Sequence, residues 1–220
     1  LRFFLTFISA FLSICCIAQQ KLAIGASTNG IGISYRDFVN EKIEIGGSLY
    51  YLQLNGNSQN VLLENIVNSK YSANTQLLEG FVQWRPFNSS KFKGTQFKES
   101  FFVKMGLALR LNPELKTNST FWDKTLIGSF ELNPDQVGYV NINVRTRSIQ
   151  PMLALGYTLV DGKKIFMQIE AGAYFHGQPK VSMKSTGTLH LNDINQAAIQ
   201  KTANKYQFFP LLKLETGIKL

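Results

Sequence analysis

Between Phe101 and Leu111 every second residue is apolar, and this two-residue period recurs along most of the chain. Phe101, Val103, Met105, Leu107, Leu109 and Leu111 fall on one side of an extended strand; Lys104, Gly106, Ala108 and Arg110 fall on the other. Successive side chains of a strand point to opposite faces, so such a segment needs an apolar medium on one side and a polar one on the other. Lys164 to His176 repeats the scheme, with Ile165, Met167, Ile169, Ala171, Ala173 and Phe175 opposing Gln168, Glu170, Gly172 and His176. In the last segment Phe208, Leu212, Leu214, Ile218 and Leu220 oppose Lys213, Glu215, Gly217 and Lys219. Lys42 to Leu52 sets Ile43, Ile45, Leu49 and Tyr51 against Lys42, Glu44 and Ser48.

Three further spans are less regular. Leu22 to Tyr35 changes phase around Thr28-Asn29-Gly30, which reads as a bulge or bend in one strand. Gln76 to Trp84 carries Leu78, Val82 and Trp84 on its apolar face, and Tyr139 to Leu159 is long and shifts phase between Arg145 and Ser148. Asp161-Gly162 is a tight-turn signal. The polar stretches Asn55–Ser72, Asn112–Gln136 and Gly177–Lys205 read as surface loops, with the helical character of Asn192–Ala203 absorbed into a mobile loop. Bacterial single-chain barrels have even strand numbers, so these seven spans require an eighth. Thr125–Leu132, turned back through Asn133-Pro134-Asp135, is the first choice and Val61–Val67 the fallback.

Composition narrows the class. Hydrophobic residues make up 45% of the chain and charged ones 17%, below the roughly 25% usual in soluble domains. After the first twenty residues no run of eighteen apolar residues occurs, which excludes a helical membrane protein but suits a barrel. Arg2, the apolar run Phe3–Ile17, and Cys16 and Ala18 at the −3 and −1 positions before Gln19 read as a cleavable leader. Residues 1–18 are therefore expected to be a signal peptide and 19–220 an outer-membrane barrel domain. Ile14 and Cys15 are a poor context for lipidation of Cys16. Both cysteines lie in that leader, so no disulfide framework is expected. Loss of Arg2 takes the net charge from +9 to +8. Export and the absence of a Lys/Arg run with interleaved aromatics exclude nucleic acid and leave acidic headgroups or lipopolysaccharide as the counterpart. Aromatics near the strand ends, among them Tyr35, Tyr50, Tyr51, Trp84, Phe101, Phe102, Tyr174, Phe175, Phe208 and Phe209, read as interfacial girdles.

Four blocks in order carry a resemblance: Leu78–Phe87, ending Trp84-Arg-Pro-Phe87; Arg147–Tyr157; Phe175–Ser182; and Lys205–Leu212. Together they resemble the small outer-membrane barrels of the ornithine-uptake-porin (CarO-like) type. The resemblance implies an eight-stranded barrel and a role in passage of small amino acids, and it assigns no functional residue.

Catalytic signals are sparse. His176 and His190 are the only side chains suited to base chemistry near neutral pH; His176 is followed by Gly177-Gln178 and His190 by Leu191-Asn192, so neither shows a close His/Ser arrangement, although Ser182 could approach His176 through the fold. Glu131 and Asp135 read as solvated loop charges rather than a calcium site. Gly30-Ile31-Gly32 opens no helix and so cradles no dinucleotide. The informative constellation is the polar face. Lys42, Glu44, Glu79, Lys104, Arg110, Glu170, Lys213, Glu215 and Lys219, with Gln150 and Gln168, all fall on the side opposite the apolar stripe. Inside a barrel of eight strands these charges must pair, giving a nearly neutral salt-bridged plug.

The sequence thus reads as all-β: an eight-stranded antiparallel transmembrane barrel, an up-and-down meander in the outer membrane of a Gram-negative cell. The expected role is non-catalytic, structural or surface-binding through the loops. The alternatives are a porin-like narrow channel for small solutes such as amino acids, and a secreted lipocalin-like binder whose apolar face turns inward. No cofactor or metal is expected. Expected partners are outer-membrane lipid and lipopolysaccharide, the barrel-assembly machinery and a small polar solute, with the chain a monomer.

Overall fold

In a computed structural model, residues 20–62, 65–87, 100–121, 125–127, 130–133, 137–186 and 193–220 are described. The expected leader, His190 and Asp135 fall outside them. Chain order is β1 (Lys21–Ser27), β2 (Gly30–Asn40), β3 (Ile43–Leu62), β4 (Asn65–Trp84), β5 (Phe101–Leu111), β6 (Glu114–Phe121), β7 (Thr125–Ile127), β8 (Phe130–Leu132), β9 (Tyr139–Arg145), β10 (Ile149–Asp161), β11 (Ile165–Phe175), β12 (Lys180–Ser185), α1 (Asp193–Ala203) and β13 (Phe208–Lys219).

Eight strands close a ring in the order β1-β2-β3-β4-β5-β10-β11-β13, each antiparallel to its neighbours, and β13 pairs back onto β1. This is the expected meander, but its eighth strand lies elsewhere than in Thr125–Leu132. Ser27 pairs with Gly30, so Thr28 and Asn29 form a tight turn between two separate strands. Gly30 takes φ 98°, a left-handed conformation open to glycine at little cost. The phase change in Leu22–Tyr35 is a hairpin and not a bulge. Thr125–Ile127 and Phe130–Leu132 pair only with each other among the described residues, outside the ring, and of the fallback segment the described residues 61–62 and 65–67 lie at the far end of the β3–β4 ladder.

The ring presents its apolar set outward. Ile24, Ile33, Leu107, Leu155 and Leu212 are 64%, 54%, 59%, 52% and 59% exposed, while the alternate positions Lys21, Arg36, Glu44, Glu79, Lys104, Glu170, Lys213 and Glu215 are buried inside. A continuous apolar belt of this size is unstable against water and matches hydrocarbon. It also reverses what a lipocalin-like apolar cavity needs, so that alternative finds no support in the wall. Large interior side chains are accommodated by glycines: a Cβ at Gly32 would run into the Tyr50 ring, and one at Gly156 into the Phe102 ring. The aromatics therefore divide. Tyr51, Trp84, Phe175 and Phe208 face outward as a girdle requires, whereas Tyr50, Phe102 and Tyr174 are buried in the interior.

The same sheet rises past the end of the barrel opposite Lys21 and Lys219. β3 and β4 each run 20 residues, about twice the 9–11 a tilted membrane strand uses. Beyond the ring, Val67–Ala73 of β4 pairs with β6, β6 with β9, and β9 with β12. β6 continues the direction of β5 after Asn112 (φ 53°) and Pro113, and β10 continues that of β9 after Thr146–Ser148. The long span Tyr139–Leu159 is thus two strands, and its phase shift marks the rim of the barrel. Where a mobile loop is expected, Asp193–Ala203 forms a helix docked on an edge strand. Gln200 Nε2 donates to the Pro179 carbonyl at 2.7 Å and its Oε1 accepts from Val181 N at 2.9 Å, occupying polar groups that the edge of β12 would otherwise leave open.

Candidate functional site

Alternation sends every second residue of the eight ring strands into one narrow interior, and the charges meet there in layers. Near the termini, Glu44 Oε1 accepts from Lys21 Nζ at 3.0 Å and from Arg85 Nε at 2.9 Å. Arg85 also reaches Thr158 at 3.3 Å, and Thr158 accepts from Gln168 Nε2 at 3.1 Å. In the middle, Arg36 binds Glu215 and Gln168 and lies 3.7 Å from Glu170. Lys104 Nζ donates to both oxygens of Glu170 at 3.1 Å. Lys213 Nζ donates to Glu79 at 2.8 Å and lies 3.9 Å from Glu170. Glu79 also accepts from Ser48 and Tyr174, and Tyr50 Oη donates to Glu215 at 2.6 Å.

Above this cluster the interior turns apolar, with Leu77, Met152, Tyr174 and Leu211 buried together. Arg110 lies at the far rim, donating to Asn29 Oδ1 at 2.7 Å, with its guanidinium 5.3 Å from the Phe209 ring. His176 is nearly buried (6% exposed) just past β11. Burial pushes its imidazole below the ordinary range, the neighbouring Arg110 charge adds to the shift, and backbone hydrogen bonds at Gly177 and Phe208 partly offset it. No hydrogen bond joins it to Ser182, which is exposed on β12 opposite Asn143.

Of the nine charged residues expected to form an interior network, seven are buried inside: Glu44, Glu79, Lys104, Glu170, Lys213 and Glu215 in the ion-paired layers, and Arg110 apart from them at the far rim. Lys42 does not join them. β3 begins at Ile43, and Lys42 is exposed in the preceding turn. Lys219 stands at the rim, 2.6 Å from Asp161. Three interior cations are additional: Lys21, Arg36 and Arg85. Lys21 precedes the first apolar residue of its span, Arg85 follows the last residue of β4, and Arg36 is hidden when β1 and β2 are read as one strand. The interior therefore keeps a small excess of cations. Among the described inward-facing residues six cations (Lys21, Arg36, Arg85, Lys104, Arg110, Lys213) meet four glutamates (Glu44, Glu79, Glu170, Glu215). Ring faces supply part of the compensation: Lys104 Nζ sits 3.7 Å from the Phe81 centroid and Lys213 Nζ 4.4 Å from that of Tyr50.

A second candidate site lies on the extended sheet. Two rows cross it: Asn57, Lys70, Asn118 and Asn141 are successive cross-strand partners, and so are Asn55, Ser72, Lys116 and Asn143. They line a trough of about 520 Å³. Asn118 Nδ2 donates to Asn141 Oδ1 at 2.6 Å, and Glu114 lies 3.8 Å from both Lys116 and Arg145. Among the described residues no three His, Asp or Glu side chains are grouped as metal ligands would be.

No protein-family model and no curated protein matches the sequence. Among solved structures the chain is similar to CarO of Acinetobacter baumannii, at 17% identity and TM-score 0.60, over 91% of this chain and 97% of that one. It is also similar to CarO2 of the same organism, at 15% identity and TM-score 0.65, over 92% of this chain and 98% of that one. At this identity the likeness is one of architecture, and it extends over the barrel and the raised sheet together: the chain has the eight-stranded CarO-like barrel fold.

Proposed function

We propose that this chain is a non-catalytic outer-membrane barrel with a closed interior, anchoring a recognition surface outside the bilayer. One observation carries the reading: the interior is crossed by a salt-bridged layer around Arg36, Lys104, Glu170 and Lys213 and then by an apolar layer of Leu77, Met152, Tyr174 and Leu211. A solute would have to break paired buried charges, at several kcal/mol each, and then shed its water. The outward apolar belt supports residence in a membrane, and the +8 charge of the chain after Arg2 suits acidic lipid surfaces. Purified protein in planar bilayers is expected to give no discrete conductance. Reproducible single-channel steps altered by Lys104→Gln or Glu170→Gln would overturn the closed-lumen reading.

A narrow polar path is the second reading. It is favoured by buried interior polar atoms without protein hydrogen-bond partners, among them Glu44 Oε2, Gln83 Nε2, Arg85 Nη2 and Gln150 Oε1. Buried polar groups are ordinarily satisfied, so these are the points at which water or a small zwitterion would bond.

A further inference from the structure

The outward face of the wall changes solvent along its length. On β3 it runs from Leu49 and Tyr51 to Gln53 and Asn55, and on β4 from Leu78 to Ser72 and Lys70. The strands do not break at that switch, so the polar trough is the direct continuation of the lipid-facing surface. Lys70 lies eight residues beyond Leu78, about 26 Å along the strand at 3.3 Å per residue and less in height because barrel strands tilt. With the apolar belt in hydrocarbon, that range falls in the headgroup zone above one leaflet. The cations of this face are Lys70, Lys116, Arg145, Lys180 and Lys184, against the one acid Glu114 among the described residues. Between the cations stand carboxamides and hydroxyls, which donate to and accept from sugar hydroxyls. Tyr139, 39% exposed on the same face, offers a ring on which a sugar can stack. Amide-lined, cationic and contiguous with lipid, the face complements a phosphorylated saccharide held at a membrane surface.

We propose that this outward face of the raised sheet binds the phosphorylated saccharide headgroup of an outer-leaflet glycolipid, the chemistry of lipopolysaccharide. The inference rests on the reading above that the sheet lies outside the bilayer. The acyl chains of such a lipid would lie along the apolar wall while its phosphates meet Lys70, Lys116 and Lys184. Diagonal cross-strand neighbours such as Lys70 and Lys116 stand about 7–8 Å apart, close enough for one phosphate to be shared or two adjacent ones to be held separately. Exposed charges of this kind are screened by salt, so affinity should fall with ionic strength.

The test uses the full mature chain in phosphatidylcholine nanodiscs, titrated with lipopolysaccharide and with the same material after removal of its phosphates. At about fivefold per lysine near an anionic surface, the triple variant Lys70→Gln/Lys116→Gln/Lys184→Gln should bind roughly 100-fold more weakly. The matched triple Lys42→Gln/Lys163→Gln/Lys164→Gln, at the opposite end of the barrel, should stay within about twofold, because those turns lie more than a Debye length away. Dephosphorylation should weaken binding to wild-type protein to a similar extent, a comparison that needs no variant to fold. Equal loss in both triples, or equal affinity for phosphorylated and dephosphorylated lipid, overturns the proposal. Labelling of Asn57→Cys by a membrane-impermeant maleimide on intact cells separates the two levels. No labelling removes the external placement and this inference with it, whereas labelling without phosphate-dependent binding removes the inference alone.

Discussion

The Lys104–Glu170 pair gives the sharpest test of a closed interior. Both carboxylate oxygens of Glu170 accept from Lys104 Nζ at 3.1 Å, and both side chains are fully buried. At an effective dielectric of 20 this separation corresponds to about 5 kcal/mol of attraction, most of which offsets the desolvation of the two ions. Glu170→Gln leaves Lys104 with the Phe81 ring at 3.7 Å as its nearest neutral support, and should cost about 3–4 kcal/mol. Lys104→Met leaves Glu170 facing Arg36 at 3.7 Å and Lys213 at 3.9 Å, so its cost should sit near the lower bound, about 3 kcal/mol. The double variant removes both charges and should cost little more than about 1 kcal/mol, giving a coupling of several kcal/mol, as cycles on desolvated pairs reach. The assay is urea unfolding from lipid vesicles, followed by tryptophan fluorescence and by gel mobility before and after boiling. With a slope of about 1–3 kcal/mol per molar urea, each single variant should lower the midpoint by about 1–4 M. A coupling below about 0.5 kcal/mol would mean that water screens the pair; the interior would then be wet, and the path for small solutes would become the better account.

Three further outcomes follow from other parts of the molecule. Gly30→Val forces a left-handed φ on a branched residue and drives a Cβ into the Tyr51 carbonyl; it should cost at least about 1–3 kcal/mol, and an unchanged midpoint would contradict the two-strand assignment of Lys21–Asn40. Leu107→Arg, at a site 59% exposed on the outer wall, should destabilise the vesicle-embedded protein by about 2–4 kcal/mol, whereas water as the solvent of that face would make it nearly neutral. His176 has a folded-state pKa below its unfolded one, so the stability its neutral form provides is complete above about pH 6.5 and declines as pH falls toward the folded value. The urea midpoint should drop between pH 7 and pH 5, and His176→Asn should flatten that drop; an identical pH profile in the variant would refute the assignment.

Strand positions and faces were legible because a period of two survives without knowledge of the partners. Phe101–Leu111, Ile165–Phe175 and Phe208–Lys219 are strands within a residue or so of their alternating segments. The turn at Thr28-Asn29 is short, and the apolar residues on both sides of it read as one continuous span. Read as one span, Leu22–Tyr35 puts the eighth strand elsewhere and conceals Arg36, whose inward direction is plain once Ile31, Ile33 and Tyr35 form a strand of their own. The raised sheet was hidden for a different reason. Its strands are rich in Asn and Lys, which have low strand propensity, and with the Ser and Thr between them they resemble loop composition; they are held by pairing to β4 and to one another. Propensity cannot report a pairing of Ser72 with Lys116, which lie far apart in sequence.

The two sites are connected by what the long hairpin does mechanically. β3 and β4 stay in unbroken register from Ile43 opposite Trp84 to Leu62 opposite Asn65, so the raised sheet inherits its direction from the barrel instead of swinging on a loop. Its remaining strands must leave the ring's curvature to follow it. The breaks at Asn112-Pro113 and at Thr146–Ser148 release β6 and β9 from β5 and β10 at one level. Proline withdraws a ladder donor, and a left-handed Asn112 redirects the chain. A filled lumen and a rigidly oriented sheet are then complementary features. Paired charges and aromatic rings fix the shape of the barrel, and that shape sets the direction in which the sheet carrying Lys70 and Lys116 is held. A loosened interior should therefore weaken recognition at the sheet even where no residue of the trough has changed.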